Sequence, residues 1–221
     1  HILCYRNERW AARVGLDQLS DVEWTQHFGR FAPLPGSFPE PLALRYHGHQ
    51  FRVYNPDIGD GRGFLFAQMR DGEGRLLDLG TKGSGRTPYS RDGDGRLTLK
   101  GAVREILATE MLEALGVNTS KTFSVIETGE SLYRGDEPSP TRSAVLTRLS
   151  HSHIRIGTFQ RLRACEQANK GGINTSMIIF RADLCSLVLD QLLQVYPVLT
   201  KSIARFDYWS EMVLANIDFI D

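Results

Sequence analysis

The sequence contains few cysteines and no long apolar run, and each shortage excludes a class of protein. Its three cysteines, Cys4, Cys165 and Cys185, are odd in number and form no CxxC pair. Neither a disulfide framework nor a cysteine-based metal site is therefore expected, and a reducing compartment is the default prediction. No apolar run has the length of a membrane span, so no membrane partner is expected.

Net charge is also absent, because 26 Lys and Arg residues balance 26 Asp and Glu residues. No overall field attracts the protein to nucleic acid or to an anionic membrane. The charge is uneven, however, since residues 45–104 carry eleven basic against seven acidic side chains. This excess fits a small anionic ligand.

The first residue is His1 and no signal-peptide pattern follows, so we expect a piece of a longer gene product.

Glycine is concentrated in the same region, where twelve of the 21 glycines fall between Gly48 and Gly101. Glycine lets backbone N–H groups converge on an anion, because no Cβ prevents close approach or a positive φ. Arginine and lysine lie between these glycines and supply the opposite charge. The pattern predicts a site for a polyphosphate, most simply a nucleotide.

Local patterns predict an α+β fold with a mostly antiparallel sheet and one long helix. Helices are predicted over Asp17–His27 and from an N-cap at Thr98 to Gly116, and strands over Leu42–Tyr46, Phe64–Met69, Arg75–Thr81, Thr122–Thr128 and Ser143–Leu149. Apolar helical periods follow at Ala182–Tyr196 and Tyr208–Ile217. We expect a helical lead-in and linker over 1–41, a nucleotide-binding lobe over 42–157 and an incomplete helical region over 158–221.

Lys82 is the first candidate for phosphate binding, at the end of a predicted strand. Residues 80–87 nearly fit the P-loop pattern with Arg for Lys, but Pro88 and the glycines at 93 and 95 exclude the helix that a P-loop requires. A lysine in a cleft instead needs a carboxylate to orient it. The following helix offers Glu105 and Glu110, and the residues alone leave this choice open.

Other candidates have a structural alternative beside the functional one. Asp60 and Asp94 lie in GDG triplets, where Asp-Gly is typical of turns but backbone contact with a nucleotide is possible. Arg148 and Arg155 either clamp a polyphosphate or lie on the surface. The pairs His47–His49 and His151–His153 lack a third ligand at suitable spacing, so packed histidines are favoured over a metal site.

Taken together, five segments resemble the selenoprotein O family of protein-kinase-like protein adenylyltransferases. They read GHQF, NPDIGDGRG, LGTKGSGRTPYSRDGDGR, REILATEMLEALGVNTS and SHSHIRIGTF, and the likeness covers roughly residues 1–160. The resemblance implies a kinase-like N-lobe followed by the beginning of a helical C-lobe. It also implies transfer of AMP from ATP, with Mg²⁺, to Ser, Thr or Tyr hydroxyls of proteins. The implied location is cytoplasmic in a bacterium and mitochondrial in a eukaryote.

The resemblance also assigns residues. It implies that the catalytic residues of this chain are Lys82, which contacts the phosphates, and Glu105, its helix partner. The nucleotide contacts that it implies are Gly59, Gly61, Arg62, Lys82, Asp94, Gly95, Arg148 and Arg155.

The family's NTDN-like and DYG-like segments, which supply a base and the metal ligands, do not occur in this sequence. We therefore expect no metal ligands in this chain, with weak or absent ATP binding and no turnover. The alternatives are phosphoryl transfer by the same lobe, a non-catalytic ATP-binding module similar to a pseudokinase, and a structural domain without a ligand.

Overall fold

The computed structural model describes residues 1–45, 48–50 and 53–153. Its strands are β1 (Ile2–Arg6), β2 (Ser37–Leu42), β3 (Gly48–Gln50), β4 (Val53–Asn55), β5 (Leu65–Arg70), β6 (Leu76–Lys82), β7 (Leu97–Thr98), β8 (Lys121–Leu132) and β9 (Thr141–Ser150), and its helices are α1 (Glu8–Arg13), α2 (Asp21–Gly29) and α3 (Leu99–Ala114). Arg155, His47, Cys165, Cys185 and both predicted C-terminal helices lie outside the described residues.

Seven strands form one sheet in the order β1-β8-β9-β6-β5-β2, with β7 beside β9. All of its paired strands are antiparallel, which confirms the predicted α+β class with a mostly antiparallel sheet. This sheet lies in a compact unit of residues 1–46 and 57–154. The β3–β4 hairpin is a separate two-stranded sheet in a second unit. Within the described residues, no helix combines the length and apolarity that crossing a membrane requires.

The large sheet carries a buried cluster on each face. Trp10, Trp24 and Phe28 from the first two helices pack with residues that include Phe123 and Leu149 of the sheet. The other cluster includes Ala102 of α3 and Leu146 of β9. Since side chains alternate along a strand, Leu149 and Leu146 point to opposite faces. The same alternation places Arg148 on the face that α3 covers.

The predicted helical lead-in is only partly helical, which corrects the expectation for residues 1–41. The helix predicted over Asp17–His27 begins at Asp21, after an N-cap and capping box at Ser20. The first residues form β1, which pairs with β8 in the middle of the chain. A strand of only five residues such as β1 carries a weak local signal, because the partner strand supplies much of its stability.

Of the strand predicted over Leu42–Tyr46, only Leu42 lies in a strand, at the end of β2. Residues 43–45 form no strand, and Tyr46 lies outside the described residues. Strand β2 contains Pro39 and Pro41, and prolines are unfavourable within most strands. Since β2 is the edge strand of the sheet, a proline there loses no hydrogen bond to a second neighbour. Residues 43–45 instead approach the first glycine-rich turn, where Arg45 forms an isolated bridge with Gly59.

The predicted long helix α3 is confirmed together with both ends. The side chain of Thr98 accepts a hydrogen bond from the amide of Gly101, and Gly116 has a φ of +77° after the last turn. The strands β5, β6, β8 and β9 occupy the predicted segments, although β8 and β9 run further than predicted.

The apolar stripe of α3 does not form its buried face. Val103, Leu107, Met111 and Leu115 are 43–72 % exposed, whereas the buried residues of the helix are Ala102 and Thr109. Three carboxylates of α3 form ion pairs with side chains outside the helix. They belong to Glu105, Glu110 and Glu113. Helical periodicity therefore identified the helix correctly but not the face that packs.

Replacing Trp24 by Ala should destabilise the protein by about 3–5 kcal/mol, because a fully buried ring is lost from the α2–sheet core. The ring also donates a 2.9 Å hydrogen bond to Ser124 Oγ. Urea unfolding measures the change. Val22→Ala on the same helix is the control, since Val22 is 71 % exposed and should change the free energy of unfolding little. Equal effects of the two substitutions would contradict the described docking of the N-terminal segment.

Candidate nucleotide-binding site

A single carboxylate holds two cations between the sheet and α3. Glu105 Oε1 pairs with Lys82 Nζ, and Glu105 Oε2 accepts a hydrogen bond from Arg148 Nη2 at 2.5 Å. All three side chains are about one-quarter exposed. Because one negative charge faces two positive charges, the cluster keeps a net positive charge. That charge is suited to an anionic ligand.

Strand register explains how the two cations meet. In the β6–β9 pair, Gly80 lies opposite Arg148 and Lys82 lies opposite Leu146. Lys82, Gly80 and Arg148 therefore share the face that α3 covers. A Cβ on Gly80 would approach His153 Nε2 to 2.3 Å, so a larger residue there would displace the His153 ring.

The close approach of these charges shifts the pKa values of Glu105 and Lys82. Partial burial acts to raise the pKa of Glu105, but its hydrogen bond from Lys82 and the charge of Arg148 outweigh burial and lower it below 4.5. Burial is the main cause that lowers the pKa of Lys82, and the nearby charges of Arg148 and Arg62 add to it, whereas Glu105 opposes it. The carboxylate is thus stabilised in its charged form, and the ammonium lies in a cation-rich environment.

The structure distinguishes Glu105 from Glu110. The carboxylate of Glu110 accepts hydrogen bonds from Tyr5 Oη at 2.9 Å, Asn7 Nδ2 at 3.2 Å and Arg9 Nη2 at 2.5 Å. Burial raises the pKa of the Tyr5 hydroxyl, and its hydrogen bond to Glu110 raises it further. Glu110 therefore fastens α3 to the N-terminal segment, and Glu105 is the partner of Lys82.

The two glycine-rich segments pack against each other. Ser90 Oγ donates to the carbonyl of Gly61 at 2.6 Å, and the hydroxyl of Thr87 donates to the carbonyl of Asp60. A Cβ on Gly59 would lie 2.5 Å from the Tyr89 ring, so only glycine fits there without a shift. The Asp60 carboxylate accepts from the amide of Leu44 at 3.2 Å, which is consistent with the structural role considered for it.

The second GDG triplet closes the long loop on itself. Asp94 Oδ1 accepts a hydrogen bond from the amide of Arg96 at 2.9 Å. The amide of Gly85 donates a hydrogen bond to the carbonyl of Gly95 at 3.2 Å. Gly95 has a φ of +72°, and a Cβ there would lie 2.2 Å from the backbone of Gly85. The loop after Lys82 thus has a defined backbone path without a helix, unlike a P-loop.

A cavity of about 680 Å³ opens beside this cluster. Its charged lining consists of Arg62, Lys82, Arg96, Arg104 and Arg134 with the carboxylates Glu105, Asp136 and Glu137. Within the described residues, the structure gives Arg62 and Arg104 no ion pair. Behind the lining, the Nε atom of Arg148 is buried, and the described residues offer it no hydrogen-bond partner. The volume lies in the range of small-molecule sites.

The predicted site residues fall into three groups. Arg62, Lys82 and Glu105 line the cavity, and Arg148 contacts it through Glu105. The remaining described candidates, Gly59, Gly61, Asp94 and Gly95, build the loops next to it without lining it. Arg155 lies outside the described residues. Sequence reasoning missed the lining residues Arg104 and Arg134, and local patterns give no signal for either.

Both histidines of the second predicted pair, His151 and His153, are hydrogen-bonded. The His151 ring contacts Asn118 Oδ1 at 2.6 Å, and His153 Nδ1 contacts Asp78 Oδ2 at 3.1 Å. Burial is the main cause that lowers the pKa of His151. Over residues 1–45, 48–50 and 53–153, no group of three or more His, Cys, Asp or Glu side chains is arranged to hold a metal ion.

Comparison with known families identifies the family of this chain. The sequence model of the family described as protein adenylyltransferase SelO matches residues 1–203. The chain belongs to the SelO family. This confirms the family resemblance that the sequence motifs indicated.

Curated relatives in the SelO family carry the name protein nucleotidyltransferase YdiU. The protein of Synechococcus elongatus is 52 % identical over 198 residues, which cover 89 % of this chain and 37 % of the relative. The Synechocystis protein is 57 % identical over 172 residues (77 % and 35 %), and that of Vibrio cholerae 42 % over 154 residues (70 % and 30 %). The chain thus spans about one-third of the length of these relatives.

Glu105→Gln in this SelO chain should lower stability by roughly 1–3 kcal/mol at pH 7, because two charged donors lose their ionised partner. The folded-state pKa of Glu105 lies below 4.5, so its contribution is complete above pH 4.5. It disappears as pH falls through the lower folded-state value. The difference in unfolding free energy between wild type and variant should therefore shrink towards pH 3.

Urea unfolding at pH 7 and pH 3 measures this difference. Glu40→Gln is the control, since Glu40 is exposed and no ion pair to the described residues is found for it. It should shift neither value. A gap that stays constant over this pH range would show that Glu105 does not stabilise the fold through its charge.

Proposed function

We propose that this chain forms the nucleotide-binding part of a protein adenylyltransferase, with a protein-kinase-like N-lobe. ATP is the donor of AMP, and Ser, Thr or Tyr hydroxyls of other proteins are the acceptors. The observation that carries this proposal is the Lys82–Glu105–Arg148 cluster beside a cavity that Arg62 also lines. Family membership supports the reaction class, because the matching family is described as a protein adenylyltransferase.

The cluster suits a triphosphate for electrostatic reasons. Glu105 orients Lys82 and Arg148 but neutralises only one of their two charges. Arg62 adds a cation that carries no ion pair within the described chain and is close enough to affect the pKa of Lys82. Fixed cations of this kind stabilise the charge that develops during transfer, and positioning is the main contribution that a protein makes to such chemistry.

The glycine-rich segments would supply the remaining nucleotide contacts. The turn that contains Gly59 and Gly61 is held against the long loop by Thr87 and Ser90. In this proposal Gly59, Gly61, Asp94 and Gly95 contact the nucleotide through backbone groups and the Asp94 carboxylate. Arg155 would complete the phosphate clamp with Arg148.

Mg²⁺ is implied by the reaction, but the described residues do not fit it. They contain no group of three or more potential ligands, and Mg²⁺ requires several oxygen ligands in octahedral geometry. The NTDN-like and DYG-like segments that would supply those ligands do not occur in this sequence. This observation favours a second candidate function for the chain taken alone, a non-catalytic ATP-binding module similar to a pseudokinase.

ATP titration of the ¹⁵N-labelled chain should shift the amide signals of Lys82, Gly61 and Gly95 at millimolar ligand. Lys82→Ala and Arg62→Ala should each weaken binding about tenfold, because each removes a charge-assisted contact with phosphate. Arg30→Ala, an exposed arginine that does not line the cavity, is the control and should bind like wild type. Absence of these shifts, or shifts confined to another surface, would overturn the proposed nucleotide site.

Incubation of the chain with ATP, Mg²⁺ and a mixture of acceptor proteins should give no mass increase on any protein. An added AMP would show that the chain is active without the segments named above. An added phosphate would favour the kinase-type phosphotransferase instead. Binding without either modification is the result expected for the nucleotide-binding part alone.

A further inference from the structure

The second half of α3 is held in place by polar contacts. The α3 residues that belong to the adjoining apolar cluster are Leu99, Ala102 and Ile106, all in the first half of the helix. Within the described residues, no α3 side chain after Ile106 belongs to either apolar cluster. Hydrogen bonds are directional, whereas apolar contact is not. The position of this half therefore depends on the groups that hold its carboxylates.

Asn7 connects three elements through one buried side chain, since the residue is only 2 % exposed. Its Nδ2 donates to Glu110 Oε1 of α3 at 3.2 Å and to the carbonyl of Thr122 of β8 at 3.0 Å. Its Oδ1 accepts from the amide of Trp10 at 3.3 Å and so caps α1. A buried amide with both donors and its acceptor engaged holds these partners in one arrangement.

Other side chains hold the same turns of α3. Tyr5 Oη donates to Glu110 Oε1 at 2.9 Å. Close by on the helix, Glu113 Oε1 accepts from Trp10 Nε1 at 2.9 Å and pairs with Lys121 Nζ at 3.1 Å. The N-terminal segment therefore contacts both carboxylates of this half, and β8 supplies a further cation.

Glu105 lies on the same helix, where its two oxygens meet Lys82 and Arg148. Only about 7.5 Å of helix axis separates five residues, and continuous backbone hydrogen bonds join them. A shift or rotation of α3 at Glu110 therefore changes the reach of Glu105. The contact with both cations requires the helix to stay at one position along the sheet.

We infer that Asn7 and Tyr5 are positioning residues of the proposed phosphate site. They hold Glu110, and α3 then presents Glu105 where it reaches both of its cations. This assigns the N-terminal segment a role in the site although it contributes no residue to the cavity lining. The consequence for ligand binding rests on the proposed function.

The pKa of Glu105 reports this positioning without any ligand. Burial acts to raise it, whereas Lys82 and Arg148 lower it below 4.5. In Asn7→Ala the pKa should rise towards 4.5, because the carboxylate lies further from both cations. Tyr5→Phe should cause a smaller rise, since it removes one hydroxyl and keeps the ring. Neither substitution adds or removes a charge, and NMR titration of the ¹³C-labelled carboxyl group measures the pKa.

Ser124→Ala is the matched control. Ser124 is 1 % exposed on β8 and accepts a 2.9 Å hydrogen bond from Trp24, so this variant also loses a buried hydrogen bond. Its Glu105 pKa should equal that of wild type. An unchanged pKa in both Asn7→Ala and Tyr5→Phe, or an equal rise in Ser124→Ala, overturns the inference. If Asn7→Ala does not fold, the result for Tyr5→Phe decides.

ATP titration of the same variants measures the consequence for binding. Asn7→Ala should weaken ATP binding roughly fivefold, because Lys82 and Arg148 lose the carboxylate that orients them. Ser124→Ala should bind like wild type. A raised Glu105 pKa with unchanged ATP affinity would overturn the role in the site and leave the proposed function intact. A wild-type chain that binds no ATP overturns the proposed function, whereas the Glu105 titration still decides whether Asn7 positions the helix.

Discussion

The pairing of one carboxylate with two cations is the interaction on which this structure depends. Glu105 reaches from α3 to Lys82 on β6 and to Arg148 on β9, so helix and sheet are joined by charge beside a small apolar cluster. Removing Glu105 would leave two partly buried cations without this partner, which costs more than the pairs contribute. The same arrangement keeps a positive charge facing the cavity. The three side chains that join helix and sheet are therefore also the ones that we propose for phosphate binding.

The N-terminal segment controls the other end of this helix. Tyr5, Asn7 and Arg9 hold Glu110, while Trp10 and Lys121 contact Glu113. Since Glu105 and Glu110 lie on one helix, a shift of the N-terminal segment that moves Glu110 would also move Glu105. The pairing of β1 with β8 in turn fixes the N-terminal segment to the main sheet.

The predictability of the site differs from residue to residue. Lys82 could be found from the glycine-rich pattern around it, and the family motifs assigned it Glu105. The residues alone could not choose between Glu105 and Glu110, because both lie near the same helical arc and only docking decides which one meets the sheet. Arg134 had no local signal, since its partner Asp94 is 40 residues away and the contact depends on how far the β8–β9 hairpin extends.

The sequence by itself determined the glycine-rich loops, the long helix with its Thr98 cap and Gly116 end, the main strands and the family. These features depend on neighbours within a few residues, so their signals are local. Only the tertiary structure decided that the apolar stripe of α3 is exposed, that β1 joins the sheet and that Arg134 grips Asp94. Each of these depends on strand register or helix docking, which bring together groups far apart in the chain, and no local pattern encodes that distance.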